Sequence, residues 1–163
     1  MINKNLRAII LSGAVLLMLS LISCDPTKKL EKQEREDIQA YLTQNSTLQY
    51  VKQPSGLYYL EVIAGTGISP VRSDSAYVKY KGMFLNGSVF DSSELYGFIV
   101  GENLTGFDEG VTLMKPGGKS SLLVPSKLGY GASGNYNSIS GFTPLLFDIE
   151  LVKIAKYSVD WYH

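Results

Sequence analysis

The chain has 163 residues, with 15 basic and 15 acidic side chains, one cysteine and one histidine. This charge balance lacks the basic footprint of nucleic-acid binding proteins, and a single cysteine excludes a disulfide within the chain. His163, the only histidine, stands at the terminus, so a serine or cysteine nucleophile lacks a histidine base. No cluster of histidines and cysteines offers a zinc site. We therefore expect neither a metal nor a cofactor.

A basic and then apolar segment opens the chain. Lys4 and Arg7 precede the apolar run of residues 8–21, and a Leu-Ile-Ser-Cys tetrapeptide ends at Cys24. This layout is typical of a bacterial secretory signal, and the tetrapeptide resembles a lipobox, whose cysteine is lipidated. The apolar run is shorter than the roughly 20 residues of a spanning helix, although a retained transmembrane anchor is the alternative. We predict a signal peptide over residues 1–23 and lipid attachment at Cys24.

The segment after Cys24 is strongly charged. Removal of residues 1–23 takes two basic and no acidic residues, which leaves 13 basic and 15 acidic ones, a net charge of −2. Residues 25–37 carry charges of both signs and favour a solvated helix or tether. Apolar positions at i, i+3 and i+4 then predict a short amphipathic helix that docks on the domain, namely Ile38, Tyr41 and Leu42.

These composition changes divide the chain. We assign residues 24–48 to the polar tether and short helix, residues 49–156 to one folded domain of ordinary size, and residues 157–163 to a C-terminal tail.

From Gly56 onward, short apolar segments alternate with glycine, proline, serine and asparagine. Residues 57–63 predict a strand. Residues 76–84 show the period-2 pattern of a half-buried strand. Its inward face holds Val78, Tyr80 and Phe84, and its outward face holds Lys79 and Lys81. Asn86-Gly87 predicts a tight hairpin that returns the chain into residues 88–91.

A short helix follows. Thr105 and Asp108 predict its N-terminal cap, and Phe107, Val111 and Met114 recur at helical spacing. A Lys-Pro-Gly-Gly turn over residues 115–118 stops this helix. Two further strands are predicted over residues 120–124 and 145–153. One helix cannot cover both faces of a flat sheet, so we predict an α+β fold with a curved antiparallel sheet, a half-barrel, wrapped around it.

Seven segments between Tyr77 and Ile154 resemble, in order, motifs of the FKBP-type peptidyl-prolyl isomerases, here in a bacterial lipoprotein form. They are residues 78–82, 87–93, 106–111, 114–119, 124–125, 128–131 and 146–151. No single segment is diagnostic, but their common order is hard to obtain by chance. The resemblance implies the FKBP fold and catalysis of cis–trans isomerisation at X-Pro bonds.

The resemblance also implies a site. Its catalytic positions match Tyr80, Phe90, Asp91, Phe107, Tyr130 and Phe147, and its other lining positions match Tyr96, Leu104 and Ile139. Asp91 matches the acid that holds the first tyrosine and faces the substrate carbonyl, and Tyr130 matches the tyrosine that donates a hydrogen bond to the peptide. Aromatic residues also dominate ordinary cores, so core packing is the alternative interpretation of these rings.

Three features depart from the family pattern. Phe107 stands where the family usually has tryptophan, and Asn103 occupies a lining position that is commonly apolar. Ser140-Gly141 replaces what are commonly two prolines in the flap of residues 133–144.

Such a pocket can catalyse rotation without a nucleophile. Resonance in the amide sets a barrier of roughly 18–20 kcal/mol. The planar amide is more charge-separated than the twisted one, so an apolar environment disfavours it more and lowers the barrier. Burial and one or two placed hydrogen bonds can supply the several kcal/mol required. Asp108-Glu109 fits a helix-dipole role rather than a catalytic pair, and the glycines before Lys119 lack phosphate-loop spacing.

The leading hypothesis is a monomeric peptidyl-prolyl isomerase that assists the folding of proline-containing exported polypeptides. It contacts the membrane through an N-terminal lipid and faces the periplasm from the outer membrane. One alternative is a catalytically weak FKBP-like binding module. Another is a structural lipoprotein that uses the fold for display.

Overall fold

The computed structural model describes residues 26–156. In that range helix α1 spans Pro26–Gln44 and helix α2 spans Thr105–Leu113. The strands are β1 (Val51–Lys52), β2 (Tyr58–Ile63), β3 (Ser75–Phe84), β4 (Val89–Ile99), β5 (Lys119–Val124) and β6 (Leu145–Ala155), and a 3-10 turn covers Ser126–Leu128. Neither helix of this range combines the length and apolarity needed to cross a membrane. The predicted signal peptide, the Cys24 lipid site and the tail of residues 157–163 lie outside the described residues.

The strands form one antiparallel sheet in the order β1-β2-β5-β6-β3-β4. The sheet curves around α2, which confirms the predicted α+β fold. Strands β2, β3, β5 and β6 match the predicted segments to within two residues at each end. Strand β4 differs, because it continues to Ile99 instead of ending at Asp91. The predicted turn at Asn86-Gly87 joins β3 to β4, with Gly87 at a φ of 84°.

Alternate residues of β5 and β6 point to two separate cores. Leu122 and Val124 belong to the main core, on the face that holds Phe107 and Val111 of α2. The intervening Leu123 belongs to a smaller cluster on the opposite face, together with Leu146 and Ile38. This alternation is what a period of two requires of a strand covered on both faces. Helix α1 therefore covers the face of the sheet opposite α2.

Helix α1 is continuous over the region for which the sequence predicted a tether and a short helix. The docking of Ile38, Tyr41 and Leu42 is confirmed, since all three pack in the smaller core. The predicted solvation of residues 25–37 is wrong at Glu34, whose side chain is buried. The physical reason is a pair of hydrogen bonds from Ser126 to the Glu34 carboxylate, a partner that the local charge pattern does not reveal.

Two half-buried tyrosines, Tyr50 just before β1 and Tyr59 on β2, predict sensitivity to alkali. Burial raises the pKa of the Tyr50 hydroxyl, which lies 3.0 Å from Ser121 Oγ, and burial also raises the pKa of Tyr59. A raised folded-state pKa stabilises the fold at pH values below the unfolded value of about 10, and that contribution is lost as the pH rises above it. We expect the melting temperature to fall steeply above about pH 10 and Tyr50→Phe to flatten that fall. Equal slopes for both proteins in thermal melts across this range would contradict the prediction.

Candidate active site

A cavity of about 310 Å³ opens between α2 and the sheet. Its lining consists of Tyr80, Phe90, Asp91, Tyr96, Asn103, Leu104, Phe107, Tyr130 and Phe147. These residues come from β3, β4, the segment entering α2, α2 itself, the turn after the 3-10 helix, and β6. The structure thus brings together all the residues that the resemblance picked out except Ile139. Ile139 is 3 % exposed and lies in the main core, outside this lining.

Strand register places the polar residues of the cavity. Tyr80 pairs with Ser93, and Gly82 pairs with Asp91 on β4. Tyr80 and Asp91 are therefore diagonal neighbours on one face, within reach of a long side chain. Register shifts occur on both sides of these pairs. Such bulges increase the local twist and redirect side chains.

Gly82 gives the aromatic rings their room. It also pairs with Phe147 on β6. A Cβ atom at this position would lie 2.6 Å from Phe90 Cζ and 3.1 Å from Phe147 Cε1. The two rings meet edge to face with their centroids 5.8 Å apart. Only a residue without a side chain allows them to pack directly over the β3 backbone.

Phe107 forms the floor of the cavity. Its ring centroid lies 5.3 Å from that of Phe147 and 5.7 Å from that of Tyr80, both in edge-to-face geometry. Phe107 and Phe147 are almost fully buried. Because each ring holds the next, the floor is rigid and apolar.

A short hydrogen bond fixes the carboxylate at the cavity. The Tyr80 hydroxyl donates to Asp91 Oδ2 over 2.6 Å, and the Ser92 N–H donates to Asp91 Oδ1 over 2.8 Å. Burial raises the pKa of the Tyr80 hydroxyl, and the hydrogen bond to Asp91 raises it further. Tyr80 therefore remains a neutral donor at every physiological pH and holds the Asp91 carboxylate in one orientation.

Tyr130 stands across from this pair on a turn. Burial raises the pKa of its hydroxyl, with a further contribution from the charge of Asp91. Within residues 26–156 that hydroxyl makes no hydrogen bond. Tyr130 can therefore donate a hydrogen bond to a bound ligand.

Phe98 packs behind the cavity lining and supports two of its rings, a role that the sequence interpretation missed. Its ring stacks on Tyr96 with centroids 5.4 Å apart and meets Phe107 at 5.6 Å. The partly or fully buried residues Tyr96, Phe98 and Val100 alternate with exposed ones along the end of β4 and just beyond it, and this period of two was the signal available in the sequence. The Tyr96 hydroxyl in turn donates a hydrogen bond to Asn103 Oδ1 over 3.0 Å. Asn103 thus holds the Tyr96 ring in the cavity lining.

The start of α2 differs from the predicted cap. Leu104, not Thr105, is the N-cap residue, and no side chain caps the helix there. Instead, Asp108 Oδ2 accepts a hydrogen bond from the Asn103 N–H, just before the helix. Glu109 accepts one from Ser55 Oγ over 2.8 Å. Neither carboxylate lines the cavity, which agrees with the structural role expected for this pair.

The residue types of the cavity limit its chemistry. Apart from Asp91, the lining consists of aromatic rings, one leucine and one amide. The described part of the chain contains no group of metal-ligating side chains, and Lys119 pairs with Glu150 at 3.1 Å. The cavity can strip water from a small apolar group and can present one carboxylate and one hydroxyl donor.

Known proteins resemble this chain in sequence and in fold. The family model described as "FKBP-type peptidyl-prolyl cis-trans isomerase" matches residues 67–152. The chain is 43% identical over 114 residues to FK506-binding protein 4 of Dictyostelium discoideum, which covers 68% of this chain and 31% of that protein. It is 36% identical over 129 residues to the probable FKBP-type peptidyl-prolyl cis-trans isomerase FkpA of Neisseria meningitidis, which covers 76% and 47%.

A solved structure of a peptidyl-prolyl cis-trans isomerase is also similar to this chain. The crystal structure of a peptidyl-prolyl cis-trans isomerase from Pseudomonas syringae pv. tomato superposes with a TM-score of 0.73 at 29% identity, and it covers 82% of this chain and 99% of that one. The chain spans less than half the length of the two curated relatives above. The family model nevertheless covers more than half of this chain. The chain therefore belongs to the FKBP-type peptidyl-prolyl cis-trans isomerase family.

Proposed function

We propose that the chain catalyses cis–trans isomerisation of X-Pro bonds in the cavity over Phe107. The observation that carries this proposal is the convergence of six aromatic rings with the Tyr80–Asp91 hydrogen bond in one small cavity. Its volume of about 310 Å³ lies at the lower end of the range for ligand pockets, which suits a prolyl ring and its neighbour.

Three features of the cavity would lower the barrier. The floor of Phe107 and Phe147 removes water from the amide, which disfavours the charge-separated planar state more than the twisted one. The Tyr130 hydroxyl donates to a peptide carbonyl and holds one side of the rotating bond. Asp91, fixed by Tyr80, faces the carbonyl carbon, whose partial positive charge grows as conjugation is lost. Each interaction accelerates rotation only as far as it is stronger in the twisted state.

A protease-free isomerisation assay on residues 25–163 tests this proposal. The lining offers aromatic surface and a single charge, so we expect the highest rates for peptides with a bulky apolar residue before proline. If the folded protein binds the peptide but the rate equals the uncatalysed one, the isomerase proposal is wrong and the protein is a binding module. Absence of both catalysis and binding would leave display of the fold as the role.

Tyr130→Phe tests the proposed donor. The change removes one hydroxyl and keeps the ring, so the cavity stays apolar. We expect kcat/KM to fall about two- to twelvefold, the value of one hydrogen bond of 0.5–1.5 kcal/mol. The melting temperature should stay unchanged, since the hydroxyl has no partner within the described residues. A fall in melting temperature with full activity would assign the hydroxyl to the fold instead.

We further propose that the protein is a lipid-anchored component of the cell envelope that acts on exported polypeptides as they fold. The supporting observation is the sequence before Cys24, with its basic start, its apolar run and its Leu-Ile-Ser-Cys tetrapeptide.

Cys24→Ala tests the anchor. Because Cys24 is the chain's only cysteine and stable anchoring requires more than one acyl chain at the membrane, we expect the variant to partition as a soluble or uncleaved protein. Detergent phase partitioning of cell fractions measures this. A mature-sized variant that still follows the membrane would disprove the lipid anchor.

A further inference from the structure

The turn that carries Tyr130 is organised by Ser126. The Ser126 carbonyl accepts hydrogen bonds from the N–H groups of Gly129 and Gly131, each over 2.8 Å. These glycines flank Tyr130 on both sides. The position of the Tyr130 backbone therefore depends on the position of Ser126.

Ser126 is held from outside its own turn. The residue before it, Pro125, is the N-cap of the 3-10 helix and provides no side-chain hydrogen bond. The acceptor comes instead from α1, 92 residues earlier in the chain. Ser126 N–H donates to Glu34 Oε1 over 2.5 Å, and Ser126 Oγ donates to Glu34 Oε2 over 2.7 Å. Both oxygens of one buried carboxylate thus bind one residue.

The second core fixes the carboxylate in turn. Ile38 lies one helical turn after Glu34 and is 6 % exposed against Leu123 and Leu146. It anchors α1 to the sheet, whereas the helix before Glu34 is exposed. Hydrogen bonds to a carboxylate are shorter and stronger than those between neutral groups. The Glu34 contact is therefore a stiff link between α1 and the Tyr130 turn.

We infer that Glu34 is a positioning residue for the cavity, which acts through Ser126 to hold the Tyr130 hydroxyl at the place where it meets the peptide. The link to catalysis rests on the isomerase function proposed above. The positioning of the Tyr130 turn by Glu34 does not depend on that function, and hydrogen exchange measures it independently of activity.

Two substitutions at Glu34 and two controls form the experiment, made in the full chain as the cell produces it and extracted in mild detergent. Glu34→Ala removes both acceptors. Glu34→Gln keeps one acceptor oxygen, and its amide can donate to Ser126 Oγ. Glu36→Ala is the control on the same helix, where Glu36 is exposed beside Lys32. Tyr50→Phe is the control for loss of a remote tertiary hydrogen bond.

Amide hydrogen exchange reports on the turn without any need for activity. In Glu34→Ala we expect exchange at Gly129 and Gly131 to accelerate at least about fivefold, while Ile149 in the centre of the sheet keeps its protection. Glu34→Gln should give an intermediate acceleration, and both controls should match the parent protein at the two glycines. Should Glu34→Ala fail to fold, Glu34→Gln decides the question by the same measurement.

A double-mutant cycle reports on the link to catalysis. If Glu34 acts through the Tyr130 hydroxyl, Glu34→Ala cannot lower kcat/KM by more than Tyr130→Phe does. In the Tyr130→Phe background its effect should shrink to less than about twofold. A merely structural role would give the same loss in both backgrounds.

The outcomes separate cleanly. Unchanged exchange at Gly129 and Gly131 overturns the inference, whether or not the parent protein is active. Accelerated exchange with additive kinetic losses overturns the catalytic link. Accelerated exchange in a parent protein without isomerase activity leaves Glu34 as the residue that places Tyr130 and overturns the proposed function instead.

Discussion

Gly82→Ala is expected to disrupt the cavity while the sheet stays folded. The new methyl group would lie 2.6 Å from Phe90 Cζ, so the ring must move. Phe84 and Phe147 flank that ring with centroids at 5.4 and 5.8 Å, which leaves the cavity as the available space. Overpacking of this kind costs about 1–3 kcal/mol of stability. We expect kcat/KM to fall by more than about tenfold, since the displaced ring fills part of the substrate volume.

Gly97→Ala provides the matched control. Gly97 lies on β4 opposite Tyr77, and a Cβ atom there would lie 2.9 Å from Tyr77 Cε1. The two glycines thus share the same kind of crowding by an aromatic ring. Tyr77, however, lies next to Lys153, whose Nζ is 4.6 Å from the ring centroid, and not in the cavity. We expect a comparable loss of melting temperature with unchanged kcat/KM. Equal activity losses in the two variants would show that the effect is not specific to the cavity.

Asp91→Val is expected to have the second large effect. It removes the acceptor of the Tyr80 hydroxyl and the only carboxylate in the lining. Hydrogen bonds to charged groups are worth about 1.5–3 kcal/mol, so kcat/KM should fall about ten- to hundredfold. Asp91→Asn keeps an acceptor oxygen and should lose less. Thermal melting of both variants shows whether the fold survives.

A titration of the Tyr80 hydroxyl tests whether loss of its hydrogen bond to Asp91 causes the fall in activity. Because the hydrogen bond and charge of Asp91 help to raise the Tyr80 pKa, both Asp91 variants should lower that pKa towards its ordinary value, while burial keeps it from returning fully. Tyrosinate absorbance against pH, with Tyr80→Phe as the blank, measures the change. Full activity in Asp91→Val, together with an unmoved Tyr80 pKa, would remove the pair from the mechanism.

Local periodicity was enough to predict the scaffold of the site. The alternation around Val78 and Tyr80 assigned one face of β3 to the interior, and the helical spacing of Phe107 and Val111 placed the floor ring on the inner face of α2. A period of two or 3.6 residues is a property of neighbouring residues, so one sequence suffices to detect it. The pairing of Tyr80 with Asp91 came from the family resemblance, because strand register depends on bulges that periodicity does not reveal.

The features of the fold and the site that the sequence did not predict depend on contacts between residues that are not neighbours in the local sequence pattern. The charged sequence around Glu34 predicts that its side chain is solvated. Its burial depends on hydrogen bonds from Ser126, which lies 92 residues later in the chain. The cap of α2 was misplaced for a related reason. Asp108 bonds to the Asn103 N–H and leaves Thr105 inside the helix. Ile139 does not reach the cavity lining, because its side chain packs in the main core instead.

If Cys24 carries the proposed lipid, the docking point on α1 would set how far the domain can stand from a membrane. Residues 26–33 are exposed, and Glu34 is the first buried residue of the described range, so the exposed start of the helix is about 12 Å long at 1.5 Å per residue. With Cys24 lipidated, the two residue steps to Pro26 add at most about 7 Å. A short, stiff spacer of about 20 Å, rather than a long flexible linker, would then connect the lipid to the point where α1 docks on the domain. Client chains close to the bilayer would then meet the cavity at a high local concentration.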